Sequence, residues 1–313
     1  MTARALLDRT GALLGLVLVA LVFTALAGVQ FIEPGNVELM ARQTAIVCMA
    51  AIGMTAVIVA GGIDLSVGSV ISLTTVVIAV LLKDGSSPGV ALLAGVAAAS
   101  ACGLVNGLLI TRLRVVPFIV TLGTMLIVRG MAKGFADERR VEAPMTWLNS
   151  LLRSGANAWS LPSGIWLVIL VGIAISVLLT YTRFGRHIFA VGSNERMARL
   201  CGVPIDRTKV IVYTLNAALA GLAGVLQYSK LAVGDPTVAV GLELDVIAAV
   251  IIGGGSLLGG RGTIVGTAIG AGIMTIIQVG CSQLGLANWV QQIVTGGIIV
   301  VAVAIDRVRS SKI

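Results

Sequence analysis

The sequence predicts an all-α polytopic membrane protein of about ten transmembrane helices, some short or broken, with both termini cytoplasmic. Composition is the first observation: 57% of the 313 residues are hydrophobic and 12% charged, at a mean hydropathy of +1.04, whereas a soluble domain carries about a quarter charged residues. Patterning is the second. The apolar residues come in blocks rather than stripes, and roughly 20 residues at 1.5 Å rise cross about 30 Å of hydrocarbon. Together they exclude a soluble globular protein.

Ten blocks qualify, at 11–29, 43–60, 67–82, 89–111, 116–132, 164–181, 209–228, 242–258, 263–281 and 287–305. They form one transmembrane domain over 1–313, with a long outer loop at 133–163 and a long inner loop at 182–209. In the first block, Arg4 and Arg9, an apolar run and Ala25-Leu26-Ala27 imitate a secretory signal. The run is long for a signal core and nine more spans follow, so it is expected to stay as a span.

The second and third blocks meet at Ala60-Gly61-Gly62-Ile63-Asp64-Leu65-Ser66-Val67-Gly68-Ser69, which puts a carboxylate and two hydroxyls into a glycine-rich break. A carboxylate at membrane depth costs several kcal/mol unless paired or hydrated. Asp64 therefore either faces a pathway or caps the third helix, accepting bonds from its first amides. Topology puts it near the inner end of the second span. Ser66, Ser69 and Asn106 are further polar groups that lie in or at the edges of spans. Glu243 and Asp245 open the eighth block, where they cap a helix start or pair with Arg129.

Charge supports the topology. With both ends inside, the inner segments hold 14 of the 22 Lys and Arg residues, as cytoplasmic segments should. The net charge of +8 is thus an orientation signal beside lipid headgroups. No segment gathers basic and aromatic readers as nucleic-acid binding would require.

The remaining motifs exclude more than they assign. Gly253-Gly254-Gly255-Ser256-Leu257-Leu258-Gly259-Gly260-Arg261-Gly262 lacks the Gly-Lys-Ser/Thr ending of a phosphate loop; it reads as a tight inner turn with close helix approach. Its start, Val250 to Gly255, resembles Val57 to Gly62, a weak hint of repetition. One histidine, His187, and no hydrolase motif leave no catalytic constellation. Cys48, Cys102, Cys201 and Cys281 have no metal or redox spacing. No metal site, catalytic group or resident cofactor is expected.

In the inner loop, Ser193 or Asn194 is placed to cap a short helix with Glu195 in its first turn, and Gly202 and Pro204 to stop it. Physics leaves open whether that helix grips a soluble partner or lies along headgroups.

Three stretches, Gly61 to Ser69, Phe184-Gly185-Arg186 through Gly202-Val203, and Gly253 to Gly260, resemble the permeases of bacterial ABC importers for ribose, xylose, arabinose and related sugars. The resemblance runs the whole chain in order. It implies a non-enzymatic subunit of the bacterial inner membrane, working as a pair of permease subunits. An ATPase chain inside would hold ATP and Mg, and a soluble sugar-binding protein would stand outside. It also implies that the inner loop, with Gly185, Arg186, Gly192, Asn194, Glu195 and Arg199, is the coupling element seated on the ATPase, and that Gly61, Gly62, Asp64, Ser66, Ser69, Asn106, Glu243 and Asp245 shape or line the pathway. A proton-coupled secondary transporter, with Asp64 or Asp245 relaying the proton, is the rival reading.

Overall fold

A computed structural model describes residues 3–153 and 161–310; residues 154–160 of the outer loop, and Lys312, lie outside them. Among the described residues the chain is almost entirely helical. Its helices are α1 (Ala3–Ala27), α2 (Pro34–Val59), α3 (Val67–Lys83), α4 (Pro88–Leu113), α5 (Pro117–Phe135), α6 (Ser163–Tyr181), α7 (Arg183–Ser193), α8 (Glu195–Leu200), α9 (Ile205–Leu231), α10 (Leu242–Ile252), α11 (Ile264–Gln283) and α12 (Asn288–Ser310).

Six of these, α2, α4, α5, α6, α9 and α11, are long and apolar enough to cross a membrane, and α1, α3 and α12 carry shorter apolar runs. The protein is an all-α polytopic membrane protein. Three helix starts follow from proline at the first turn, at Pro34, Pro88 and Pro117, where the missing amide and fixed φ suit a helix.

One expected span is shorter than its apolar block. The block at 242–258 is not a full span: α10 ends at Ile252 after 11 residues, about 16 Å or half a bilayer core, because three consecutive glycines stop it. The inner loop is also more regular than expected. Ahead of the anticipated short helix stands α7, whose Thr182 side chain accepts the Gly185 amide at 3.1 Å and whose buried Ile188 and Val191 face inward. The outer loop contributes a two-residue strand, β1 (Val141–Glu142), antiparallel to β2 (Val233–Gly234).

α2 is the core helix. Its residues from Ala45 to Val59 are all buried, packed against α9, α11, α10 and α6. α9 in turn packs along α4 and α3. The close α9–α4 approach depends on Gly103 and Gly107, where a Cβ would meet the α9 backbone at Tyr213 and Val210.

Candidate functional site: a buried carboxylate node and an exposed helical projection

The chain leaves α2 by a Schellman turn: Gly61 N donates to Ile58 O at 2.9 Å and Gly62 N to Val57 O at 2.9 Å, with Gly61 at φ +79°. It then turns back along α2 instead of leaving the helical bundle. Gly62 is required at this point, since a Cβ would run into the Tyr213 hydroxyl. Ile63 O accepts from Thr121 Oγ1 of α5 at 3.2 Å.

Asp64 is fully buried. Its Oδ1 accepts from the Ser66 amide at 2.9 Å and the Ser66 hydroxyl at 2.6 Å, and its Oδ2 accepts from Asn216 Nδ2 of α9 at 2.8 Å. Asn106 Nδ2 of α4 donates to Ser66 Oγ at 3.1 Å, and Ser69 Oγ donates to Ser66 O at 2.8 Å. Four of the expected pathway residues, Asp64, Ser66, Ser69 and Asn106, are thus one hydrogen-bonded node. It joins the α2–α3 break to α4 and α9.

One expectation about Asp64 is corrected. It does not bond the first-turn amides of α3; it bonds Ser66, the residue before the helix, and then crosses to α9. Its partner Asn216 stands 11 residues past Ile205, about 16 Å along α9 at 1.5 Å per residue. With two donors from Ser66 at the α2–α3 break and one from α9, the carboxylate is a cross-link. Asn106 Oδ1, Asn216 Oδ1 and the Tyr213 hydroxyl beside this node are buried without a hydrogen-bond partner in the chain.

Glu243 and Asp245 take different roles in the first turn of α10. Glu243 Oε1 accepts the Gly241 amide at 3.2 Å, while its Oε2, lying against Gly68 of α3, has no partner. Asp245 Oδ2 accepts from Gln278 Nε2 of α11 at 2.6 Å. Of the two alternatives, capping and pairing with Arg129, Glu243 takes the first, and Arg129 forms no ion pair with it. Its Nη1 donates to Pro236 O at 3.1 Å and Val238 O at 2.6 Å, because the chain before α10 dips toward α5 and brings carbonyls closer than the carboxylate.

α10 ends in the same turn as α2: Gly254 N donates to Ile251 O at 2.9 Å and Gly255 N to Val250 O at 2.8 Å, with Gly254 at φ +94°. The faint repetition in the sequence is a repeated helix stop. The close approach expected of these glycines is present, since Cβ atoms at Gly253 and Gly266 would each strike the other's backbone.

The end of α2 and Gly259-Gly260, seven residues past the end of α10, converge on Gly192, in the last turn of α7. A Cβ on Gly192 would strike Val59 O and come within 2.8 Å of Gly260 N, and one on Gly61 would lie 3.7 Å from Gly192 Cα. Gly260 N also donates to Val59 O at 2.9 Å. Beyond Gly192, Asn194 caps α8, its Oδ1 accepting the Met197 amide at 3.0 Å. Glu195 accepts from Lys209 Nζ at 2.8 Å and Arg199 at 3.4 Å, fastening α8 to α9.

The inner-loop residues therefore divide. Gly185 and Gly192 pack inward, Gly185 against Leu178 and Leu179 carbonyls. Arg186, Glu195 and Arg199 are exposed, as are Met197 and Leu200, the last 81% exposed. Asn216, Tyr213, Gln278 and Thr121 were not singled out as site residues. Each is an ordinary polar residue in an apolar helix, and only the fold shows its partner. Among the described residues no three His, Cys, Asp or Glu side chains gather as metal ligands.

Comparison with known proteins follows this geometry. The family description "Branched-chain amino acid transport system / permease component" matches residues 36–303. The chain is 37% identical over 305 residues to the ribose import permease protein RbsC of Bacillus subtilis (strain 168), covering 97% of this chain and 94% of that one. It is 38% identical over 293 residues to RbsC of Escherichia coli (strain K12), covering 93% and 91%. It is 35% identical over 301 residues to the L-arabinose ABC transporter permease protein AraH of Azospirillum brasilense, covering 95% and 88%. No solved structure is significantly similar.

Proposed function

The chain belongs to the family of transport-system permease components, and on that premise we propose that it is the membrane permease subunit of an ATP-driven importer of a monosaccharide. The relatives named for ribose and arabinose support a sugar rather than the amino acids in the family description. In this reading ten helices lie within the bacterial inner membrane, α3 and α10 begin at mid-depth, and both termini and the α7–α8 projection are cytoplasmic. ATP and Mg belong to a partner ATPase, a binding protein delivers the sugar from outside, and two permease copies enclose the path.

The observation that carries the reading is the seat of Gly192 between the end of α2 and Gly259-Gly260. A push on α8 reaches α7, and α7 touches the end of α2 at Val59 and the Gly259-Gly260 turn through backbone contacts at Gly192. From the α2 end the chain runs four residues to Asp64 and its cross-link to α9. A rigid path thus joins an exposed helix to a buried node, as coupling between ATP hydrolysis and a pathway requires.

Leu200→Asp tests it. Leu200 is exposed, so thermal unfolding of the purified chain should not change, while co-purification of the ATPase and ATP-dependent uptake should be lost. Retention of both would refute the assignment of α8 as the ATPase seat.

A further inference from the structure

We propose that the cavity between α2, the end of α9 and the loop before α6, at the end of the molecule opposite α8, binds the phosphate of an anionic lipid headgroup. The cavity holds about 230 Å³, and its lining includes Arg42, Met145, Asn149, Arg153, Ser229 and Lys230. That is below the roughly 300–1,000 Å³ of sites for drug-sized molecules, so it suits one small group. The lining is rich in donors. Glu38 accepts from Arg42 Nε at 3.0 Å, but Lys230 Nζ donates to the neutral Gln43 Oε1, and among the described residues no carboxylate pairs with Lys230 or Arg153. Residues 143–163 contain no Asp or Glu to supply one. Asn149 is 5% exposed; its Oδ1 accepts the Thr146 amide at 2.8 Å, and its buried Nδ2 has no acceptor in the chain. Two cations without a carboxylate and a spare amide donor together suit an anion. A neutral solute leaves that charge unanswered.

Depth makes the anion a lipid's. α9 runs 27 residues away from α8, about 40 Å, which exceeds the roughly 30 Å of hydrocarbon, so Lys230 in its last turn stands in the headgroup layer. Three tryptophans mark the same end. Trp147 lies in the short 3-10 turn that carries Asn149, Trp166 in the first turn of α6 and Trp289 in the first turn of α12, and they are 52%, 56% and 66% exposed. Both helices run from there toward α7: α6 ends at Tyr181 just before it, and Asp306 of α12 bonds Ser256, three residues before the Gly259 that packs on Gly192. Outward-facing tryptophans collect at the membrane–water interface. Met145, in the cavity lining, is 67% exposed and sets an apolar surface beside the cations. The glycerol and first methylenes of a lipid use such a surface, whereas a free anion does not.

The test counts lipid held by the full-length chain, using native mass spectrometry after equilibration with micelles of phosphatidylglycerol and phosphatidylcholine in equal amounts. Phosphatidylglycerol should be retained at least about tenfold over phosphatidylcholine, and Arg153→Gln and Lys230→Gln should each weaken it about fivefold, the effect of one cation near an anionic surface. Arg139→Gln is the control. It removes the same charge from an exposed position outside the cavity and should leave retention unchanged. Arg153 is exposed, so that variant keeps the test readable if Lys230→Gln fails to fold. Equal retention of the two lipids, or an equal loss from Arg139→Gln, overturns the proposal. So does inorganic phosphate raising the Tm in phosphatidylcholine micelles as much as phosphatidylglycerol does, which would make the occupant a free anion. Unchanged lipid retention in Arg153→Gln with lost docking of a soluble binding protein would assign the cavity to a protein carboxylate and overturn it too. Lipid binding is read without ATPase, ATP or sugar, so its outcome is independent of the importer reading.

Discussion

The two glycine turns, Ala60–Gly62 after α2 and Gly253–Gly255 after α10, share the same hydrogen bonds and the same left-handed glycine, yet their surroundings differ. Past the first turn the chain re-enters the bundle and ends in a fully buried carboxylate with three donors. Past the second it stays at the α8 end, where Asp306 Oδ2 accepts from Ser256 Oγ at 3.2 Å and the Leu257 amide at 3.3 Å. The lesson is that a local stop signal fixes where a helix ends but not where the chain goes next. That is decided by which polar groups must be satisfied inside the bundle.

Breaking the comparison should be most costly at the buried side. Asp64→Ala leaves the Ser66 and Asn216 donors buried without an acceptor and should destabilise by about 3 kcal/mol, read as a lowered Tm in detergent. Asp306→Ala should cost no more than about 1 kcal/mol, since its bonds are longer and only partly buried. Equal costs would remove the distinction between the two regions.

Gly192→Ala comes next, at about 1–3 kcal/mol, because its methyl group meets backbone at Val59 that has no room to yield. The α2 turn and the Gly259-Gly260 segment should loosen together, seen as faster hydrogen exchange at Gly61 and Gly260. Faster exchange at only one of them would break the link through α7. The smallest effect sharpens what the turns share. Gly61→Ala and Gly254→Ala have space for a methyl group but positive φ, so each should cost about 1 kcal/mol and the two should agree.

Much of this was legible in the chain. Each of the ten apolar blocks contains a helix, the one at 242–258 only as far as Ile252, and the capped α8 lies where Asn194 and Gly202 put it. Local signals suffice for such features, since a cap or a stop is written within a few residues. What escaped was set by distant partners. Asn216 lies 152 positions from Asp64, and nothing near either residue announces the pairing. Arg129 looked like a mate for Glu243 because both are charged, but the dip of residues 235–241 offers it carbonyls first. The halved α10 was hidden by apolar residues that run past its glycine stop to Leu258. α7 was hidden by its charge, Arg183, Arg186 and His187 masking a stripe that ends in Ile188 and Val191.

The central claim is tested most directly by transport. Proteoliposomes holding this chain with its ATPase and binding protein should accumulate ribose or a related monosaccharide only when ATP is supplied on the α8 side, and should not accumulate leucine. Uptake driven by a proton gradient, by this chain alone and without ATP, would contradict the account.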